Sequence, residues 1–311
     1  MINPSVSKAA NILSKGGLVA FPTETVYGLG ADATNPTAVA KIFDTKGRPS
    51  FNPLISHVAT LQDAVALGVF NEQAYILANA FWPGPMTLVV PAVERCATCE
   101  LARAGLNTIA LRVPSHPVAQ NLLQAFGKPI VAPSANRSGR ISPTSAAHVT
   151  EDIGDRVDLI LDGGSTEFGL ESSIFNCLGQ SVTMLRPGSI TRKMAENILG
   201  AEVQNSDQSQ SIIAPGQMAS HYAPNAHLRL DAVQPTSDEA YLAFGAEPHL
   251  NAVAVENLSL NGDLTEAAAN LYAMLRKLDQ SGAKTISVSP IPAFGLGEAI
   301  RDRLARAAAP R

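Results

Sequence analysis

The apolar run Leu18-Val19-Ala20-Phe21 stops at Pro22 and opens into Thr23-Glu24-Thr25-Val26-Tyr27-Gly28-Leu29-Gly30. Four apolar residues ahead of a proline read as a buried strand, because proline has no N–H to give to a sheet ladder. A hydroxyl-rich segment at the carboxyl end of a strand is where open α/β sheets hold ligands. Thr23, Thr25 and Tyr27 supply hydroxyls. Gly28 and Gly30 are expected to let backbone N–H groups approach a bound group. A strand-ending turn without a ligand fits this stretch equally well, so the rest of the chain has to decide.

Taken in order, helices are expected over 5–15, from Asn35-Pro36 to Lys46-Gly47, over 71–82, 116–126 and 191–199, and starting at Ser142-Pro143-Thr144. Strands are expected over 53–58, 86–90, 108–113, 129–132, 157–161, 172–177 and 182–185. The two kinds mix without strict βαβ alternation. That favours an α/β fold with a twisted mixed sheet and flanking helices. Residues 205–211 read Asn-Ser-Asp-Gln-Ser-Gln-Ser, the composition of a linker. Beyond it, strands at 228–230, 241–244, 252–255 and 285–288 accompany helices at 263–278 and 298–308. The expected division is a first domain over 1–204, a linker over 205–225 and a small Rossmann-like α/β domain over 226–311.

A net charge of −4 argues against broad, sequence-independent nucleic-acid binding, which needs a basic face. No run of about 18 apolar residues predicts a membrane span, and the first residues do not read as a signal peptide. Three cysteines, an odd number, predict a reducing, cytoplasmic setting. Cys96-x-x-Cys99 stands alone in a charged loop, with no second pair or nearby histidines, so its spacing reads as accidental and no metal site is expected. Cys177 reads as a small core residue. His116 and His148 read as helix-start and helix-face residues, and His227 and His249 as surface residues.

Lys46, Arg48, Arg112 and Arg186 sit at strand ends or in stiff loops, among the hydroxyls of Thr23, Thr108, Ser134, Ser142 and Ser172. Arginine and lysine with hydroxyl and backbone donors are the usual means of holding polyphosphates and carboxylates. Each cation alone is more simply a solvated or salt-bridged residue; the set is harder to read that way. The sequence contains no G-x-x-x-x-G-K-[ST], G-x-G-x-x-G, H-E-x-x-H or G-x-S-x-G, so a nucleotide site here follows a less common design.

Six segments taken in order resemble the YrdC-like family. They are Phe21–Gly30; Lys46-Gly47-Arg48-Pro49 with Asn52-Pro53-Leu54; Trp82-Pro83-Gly84-Pro85; Arg112-Val113-Pro114; Ala132-Pro133-Ser134-Ala135-Asn136; and Leu185-Arg186-Pro187-Gly188. Pro215-Gly216, then His221-Tyr222-Ala223-Pro224 and a small C-terminal domain, resemble its long form. The resemblance implies ATP-dependent synthesis of threonylcarbamoyl-AMP from threonine and bicarbonate, with release of pyrophosphate. It also implies Mg²⁺ carried with ATP and downstream proteins that transfer the threonylcarbamoyl group to tRNA. An RNA-binding protein of the same fold is the alternative, against which the net charge weighs. A carbamoyl-transferring maturation enzyme would need cysteine pairs that this chain lacks.

Residue by residue, the resemblance implies threonine at Thr23, His57, Arg112, Ala132 and Ser172. It implies ATP at Lys46, Ser50, Thr108, Ser134, Asn136, Ser142, Arg186 and Tyr222, with Lys46, Arg48 and Arg186 as the catalytic cations. His57 read alone is a histidine in an apolar strand, more often a core residue than a ligand. Tyr222 is read as part of a lid that folds over the substrate loops.

Overall fold

The computed structural model describes residues 4–206, 213–218, 220–246 and 251–310. The chain begins α1 (Pro4–Ser14), β1 (Val19–Phe21), β2 (Gly28–Asp32), α2 (Pro36–Lys46), β3 (Ile55–His57), α3 (Leu61–Val65), α4 (Glu72–Phe81) and β4 (Met86–Pro91). It continues through β5 (Thr108–Arg112), α5 (Pro117–Phe126), β6 (Ile130–Val131), α6 (Ala146–Ile153), β7 (Leu159–Ile160) and β8 (Ser173–Asn176). The first part ends with β9 (Thr183–Arg186), α7 (Arg192–Leu199) and β10 (Gln204–Asn205). The second holds β11 (His227–Arg229), β12 (Ala240–Ala243), β13 (Ala254–Asn257), α8 (Leu264–Asp279), β14 (Thr285–Val288) and α9 (Leu296–Ala308).

Among the described residues, the first part builds one ten-stranded mixed sheet in the order β10-β9-β8-β4-β5-β3-β6-β2-β1-β7. The second builds a four-stranded sheet, β11-β14-β12-β13, with every pair parallel. This is the mixed α/β fold with a Rossmann-like second unit that the sequence pattern predicts. Successive strand residues point to opposite faces. Val19 and Phe21 therefore pack with α1 and α5, while Leu18 and Ala20 pack with α2 and α6. The helix limits follow their caps: Asn35 accepts from the Thr37 and Ala38 N–H groups, Pro36 occupies the first turn, and Gly47 closes α2 in the left-handed region at φ 60°.

The two parts share one core. Val26, Ile141, Leu170 and Tyr222 pack in the same cluster as Leu271, Tyr272, Ile286 and Ile300 of the second part. Polar bridges reinforce it: Arg276 on α8 reaches Asp152 on α6 at 2.6 Å and donates to the Ile141 carbonyl at 2.6 Å.

Several expectations are corrected. Gly28 and Gly30 belong to β2, not to a ligand loop, and pair with Phe21 and Val19 of β1. A Cβ on Gly30 would stand 2.8 Å from the Phe21 ring and 3.0 Å from Ile130, so this glycine makes room for an aromatic side chain. No helix starts at Ser142; α6 starts at Ala146, capped by the Ser145 hydroxyl, which leaves Ser142 free to bond elsewhere. Asn205 pairs with Met184 in β10 and is not linker. The short α3 was not foreseen, although Thr60 and Asp63 form its reciprocal capping box. Residues 207–212 and 219 of the expected linker, and His249, lie outside the described residues. His116 caps α5, and Cys177 is buried in the core. No described helix is long and apolar enough to cross a membrane.

Gly30→Ala is expected to lower unfolding free energy by about 1–3 kcal/mol through overpacking against Phe21. Urea denaturation checks this, and unchanged stability would show that the ring has room to yield.

Candidate active site

Pro22 ends β1, and the next four residues turn tightly. The Thr23 hydroxyl accepts from the Thr25 and Val26 N–H groups, both at 3.2 Å, and donates to the Val26 carbonyl at 2.7 Å. This local turn, built by a side chain, aims Glu24 and Thr25 at Arg112, the last residue of β5. Arg112 meets Glu24 at 2.7 Å and donates to the Thr25 hydroxyl at 2.9 Å. Burial alone would raise the Glu24 pKa, but the Arg112 charge and hydrogen bonds overcome it and hold the carboxyl below its usual range. Much of the Arg112 fork is thus already committed to the protein.

A small cavity of about 50 Å³ lies beside this pair. Of the residues implied by the resemblance, Arg48, His57, Arg112, Ala132, Ser134, Ser172, Arg186 and Tyr222 line it. Thr23 lies one hydrogen bond behind Thr25 in its wall. Lys46 sits under the 134–136 loop, donating to the carbonyls of Ser134 at 2.6 Å and Asn136 at 2.5 Å. Asn136 in turn ties down the Arg137 and Arg140 carbonyls. Ser142 stands behind Glu171, bonded to its carboxylate at 2.5 Å. Ser50 and Thr108 are outside the lining. Ser50 is exposed on its turn, and Thr108 begins β5, about 13 Å of strand from Arg112 at roughly 3.3 Å per residue.

The cations are buried and braced. Lys46, Arg48, Arg112 and Arg186 are each between 4% and 8% exposed. Burial and the neighbouring Arg48 press the Lys46 pKa well below its ordinary value. Arg48 braces its own loop through the Asn52 and Pro53 carbonyls, and burial lowers it to about 10, still cationic at neutral pH. Arg186 holds the Ser172 carbonyl at 3.0 Å and the Ser172 hydroxyl at 3.1 Å. Gly216, at φ 85°, lets the chain pass close: a Cβ there would stand 2.8 Å from Arg186 and 3.1 Å from the Tyr222 hydroxyl.

Sequence reasoning did not assign Glu24, Glu171 or His221 to the site. Buried arginines need counter-charges, and that signal points to the acidic residue inside Thr23-Glu24-Thr25 and to the one before Ser172. Burial would raise the Glu171 pKa, yet the Arg303 and Arg186 charges bring it down to about 2. His57 and His221 are both pushed down to about 3, chiefly by burial, and are neutral. The His221 Nδ1 has no hydrogen-bond partner among the described residues.

Among the described residues, no group of three His, Cys, Asp or Glu could hold a metal ion. Glu24 and Glu171 are both engaged by arginine. The residues present do not fit a Mg²⁺ site of the protein's own. A larger cleft of about 500 Å³ lies between β9 and α9, but its arginines are matched by acids, Arg192 by Glu298 and Arg306 by Asp302. The excess positive charge is at the smaller site.

Comparison with known proteins identifies the family. A Sua5/YciO/YrdC family model described as "Telomere recombination" matches residues 11–188, and one described as "Threonylcarbamoyl-AMP synthase, C-terminal domain" matches 190–309. The threonylcarbamoyl-AMP synthase of Bacillus subtilis is 39% identical, over 99% of this chain and 94% of its own. That of Pyrococcus abyssi is 39% identical, over 96% and 92%. The crystal structure of P. abyssi Sua5 complexed with L-threonine superposes with a TM-score of 0.90 at 36% identity, covering 97% of this chain and 94% of that one. With both family models matched in order and the catalytic and C-terminal units packed as one body, the chain belongs to the Sua5/YciO/YrdC family in its two-domain form.

Proposed function

We propose that this protein is a threonylcarbamoyl-AMP synthase, joining L-threonine, bicarbonate and ATP and releasing pyrophosphate. The observation that carries this reading is the group of three buried arginines lining one cavity, with Lys46 buried behind its 134–136 loop and no activated side-chain nucleophile in the lining. The reaction needs none. Threonine's amine and bicarbonate give a carbamate anion and water. A carbamate oxygen then attacks the α-phosphorus of ATP, forming the mixed anhydride as the bond to pyrophosphate breaks. The protein's work is positioning and charge neutralisation.

In this reading the spare donors of Arg112 meet the threonine carboxylate, beside Thr23, His57, Ala132 and Ser172. Lys46 and Arg186 meet the phosphates, Ser134, Asn136, Ser142 and Tyr222 complete the nucleotide site, and Mg²⁺ accompanies ATP. Ser50 and Thr108 would serve only the far end of a nucleotide running along β5. At a pKa of about 3, His57 and His221 are poor bases at neutral pH, so no proton is assigned to either. At about 50 Å³ the cavity is far smaller than the roughly 300–1,000 Å³ of ordinary ligand pockets. Pro215, Gly216, His221 and Tyr222 line it, so we read the stretch that carries these four as a lid that opens to admit ATP and then keeps water from the acyl-adenylate. Free Cys96, Cys99 and Cys177 suit the cytoplasm, where downstream proteins would carry the group to tRNA.

Pyrophosphate release from ATP should require both threonine and bicarbonate. Release that continues unchanged without threonine would overturn the assignment. Arg112→Lys keeps the charge beside Glu24 but removes the planar fork. Its KM for threonine should rise about tenfold, the cost of a lost bond to a charged group, with a smaller rise for ATP. Equal effects on both substrates would mean that Arg112 serves the phosphates or the fold.

A further inference from the structure

The second domain reaches the nucleotide site through one carboxylate. Glu171, only 6% exposed, lies immediately before Ser172 in the catalytic domain. Its Oε1 accepts from the Ser142 hydroxyl at 2.5 Å, and its Oε2 from Arg303 Nε at 2.8 Å. The Tyr272 hydroxyl lies 3.1 Å from Oε1 and 2.8 Å from Oε2. Tyr272 is on α8 and Arg303 on α9, both fully buried, so two of the three side chains holding Glu171 belong to the second domain.

The same two side chains hold the other nucleotide-facing segments. Arg303 Nη2 donates to the Pro187 carbonyl at 2.9 Å, one residue after Arg186. Its guanidinium lies 5.2 Å from the Tyr222 ring centre, and Tyr222 stacks on Tyr272 with centroids 5.8 Å apart. Tyr222 itself is held at φ 65°, a backbone region costly for a residue with a side chain. The Ser142 loop, the Glu171-Ser172 strand start, the Arg186-Pro187 turn and the Tyr222 segment thus converge on two residues of the second domain. A domain needed only for docking would be served by the shared apolar core and the Arg276–Asp152 pair.

We propose that Tyr272 and Arg303 are positioning residues for the nucleotide, acting through Glu171 to set Ser142 and through direct contact to set Tyr222 and the Arg186 turn. The proposal rests on the synthase reading, and its test uses equilibrium binding so that the two fail separately. In the full-length protein, Tyr272→Phe keeps the stacked ring and removes the hydroxyl. The ATP Kd should rise about tenfold, the scale of one lost hydrogen bond to a charged group, while the threonine Kd stays within about twofold. Because Tyr272 acts on Ser142 through Glu171, Tyr272→Phe with Ser142→Ala should bind ATP no more weakly than Ser142→Ala alone. Additive losses, equal losses for both ligands, or a folded Tyr272→Phe protein with unchanged ATP binding would each overturn the proposal. So would normal ATP binding by Ser142→Ala, a variant outside the second domain that covers the case of Tyr272→Phe failing to fold. A wild-type protein that binds ATP but makes no adenylate would overturn the synthase reading alone.

Discussion

Four buried basic side chains, three of them arginines, have to be partnered inside one end of a sheet, and the surrounding structure is arranged to do it. Removing an unpaired charge from water costs several kcal/mol, so Lys46, Arg48, Arg112 and Arg186 each require partners. Glu24 answers Arg112, and Glu171 lies close enough to Arg186 to feel its charge. Backbone carbonyls of Asn52, Pro53, Ser134, Asn136 and Ser172 satisfy much of the rest. Those carbonyls come from loops fixed by prolines and by strand ends. The field is therefore in place before any anion arrives, which is the condition for electrostatic catalysis without reorganisation.

The same requirement explains why the two domains share a core. Glu171 is stable as a buried carboxylate because Arg303 and Tyr272 cross from the second domain to meet it. Apolar contact follows the polar contact: Val26 comes from the turn that aims Glu24, and Leu170 directly precedes Glu171. The cavity-lining loops and the domain interface are thus parts of one packed unit.

Much of this was legible in the sequence where the signal is local. Asn35-Pro36 and Gly47 announce the limits of α2, Pro22 announces the end of β1, and the apolar spacing of 263–278 announces the amphipathic helix α8 of the second unit. Gly28 and Gly30 were misjudged because a glycine needed for ligand approach and one needed beneath a phenylalanine ring look the same in one dimension. Glu24 and Glu171 were passed over because their partners, Arg112 and Arg303, are 88 and 132 residues away. Pairings at that range are set by topology, which composition and periodicity do not encode. Thr108 falls outside the cavity for a related reason: a motif names residues along a strand, while the strand's rise decides which of them reach the site.

The central claim is that the buried cations serve attack by a threonine-derived carbamate on the α-phosphorus of ATP. The most direct measurement supplies isotopically labelled bicarbonate together with ATP labelled on its α-phosphate, and follows both labels by chromatography and mass spectrometry. The account predicts one threonine-dependent product carrying both labels, with pyrophosphate as the other product. Cleavage to ADP and phosphate, or a labelled adenylate without the bicarbonate carbon, would contradict it.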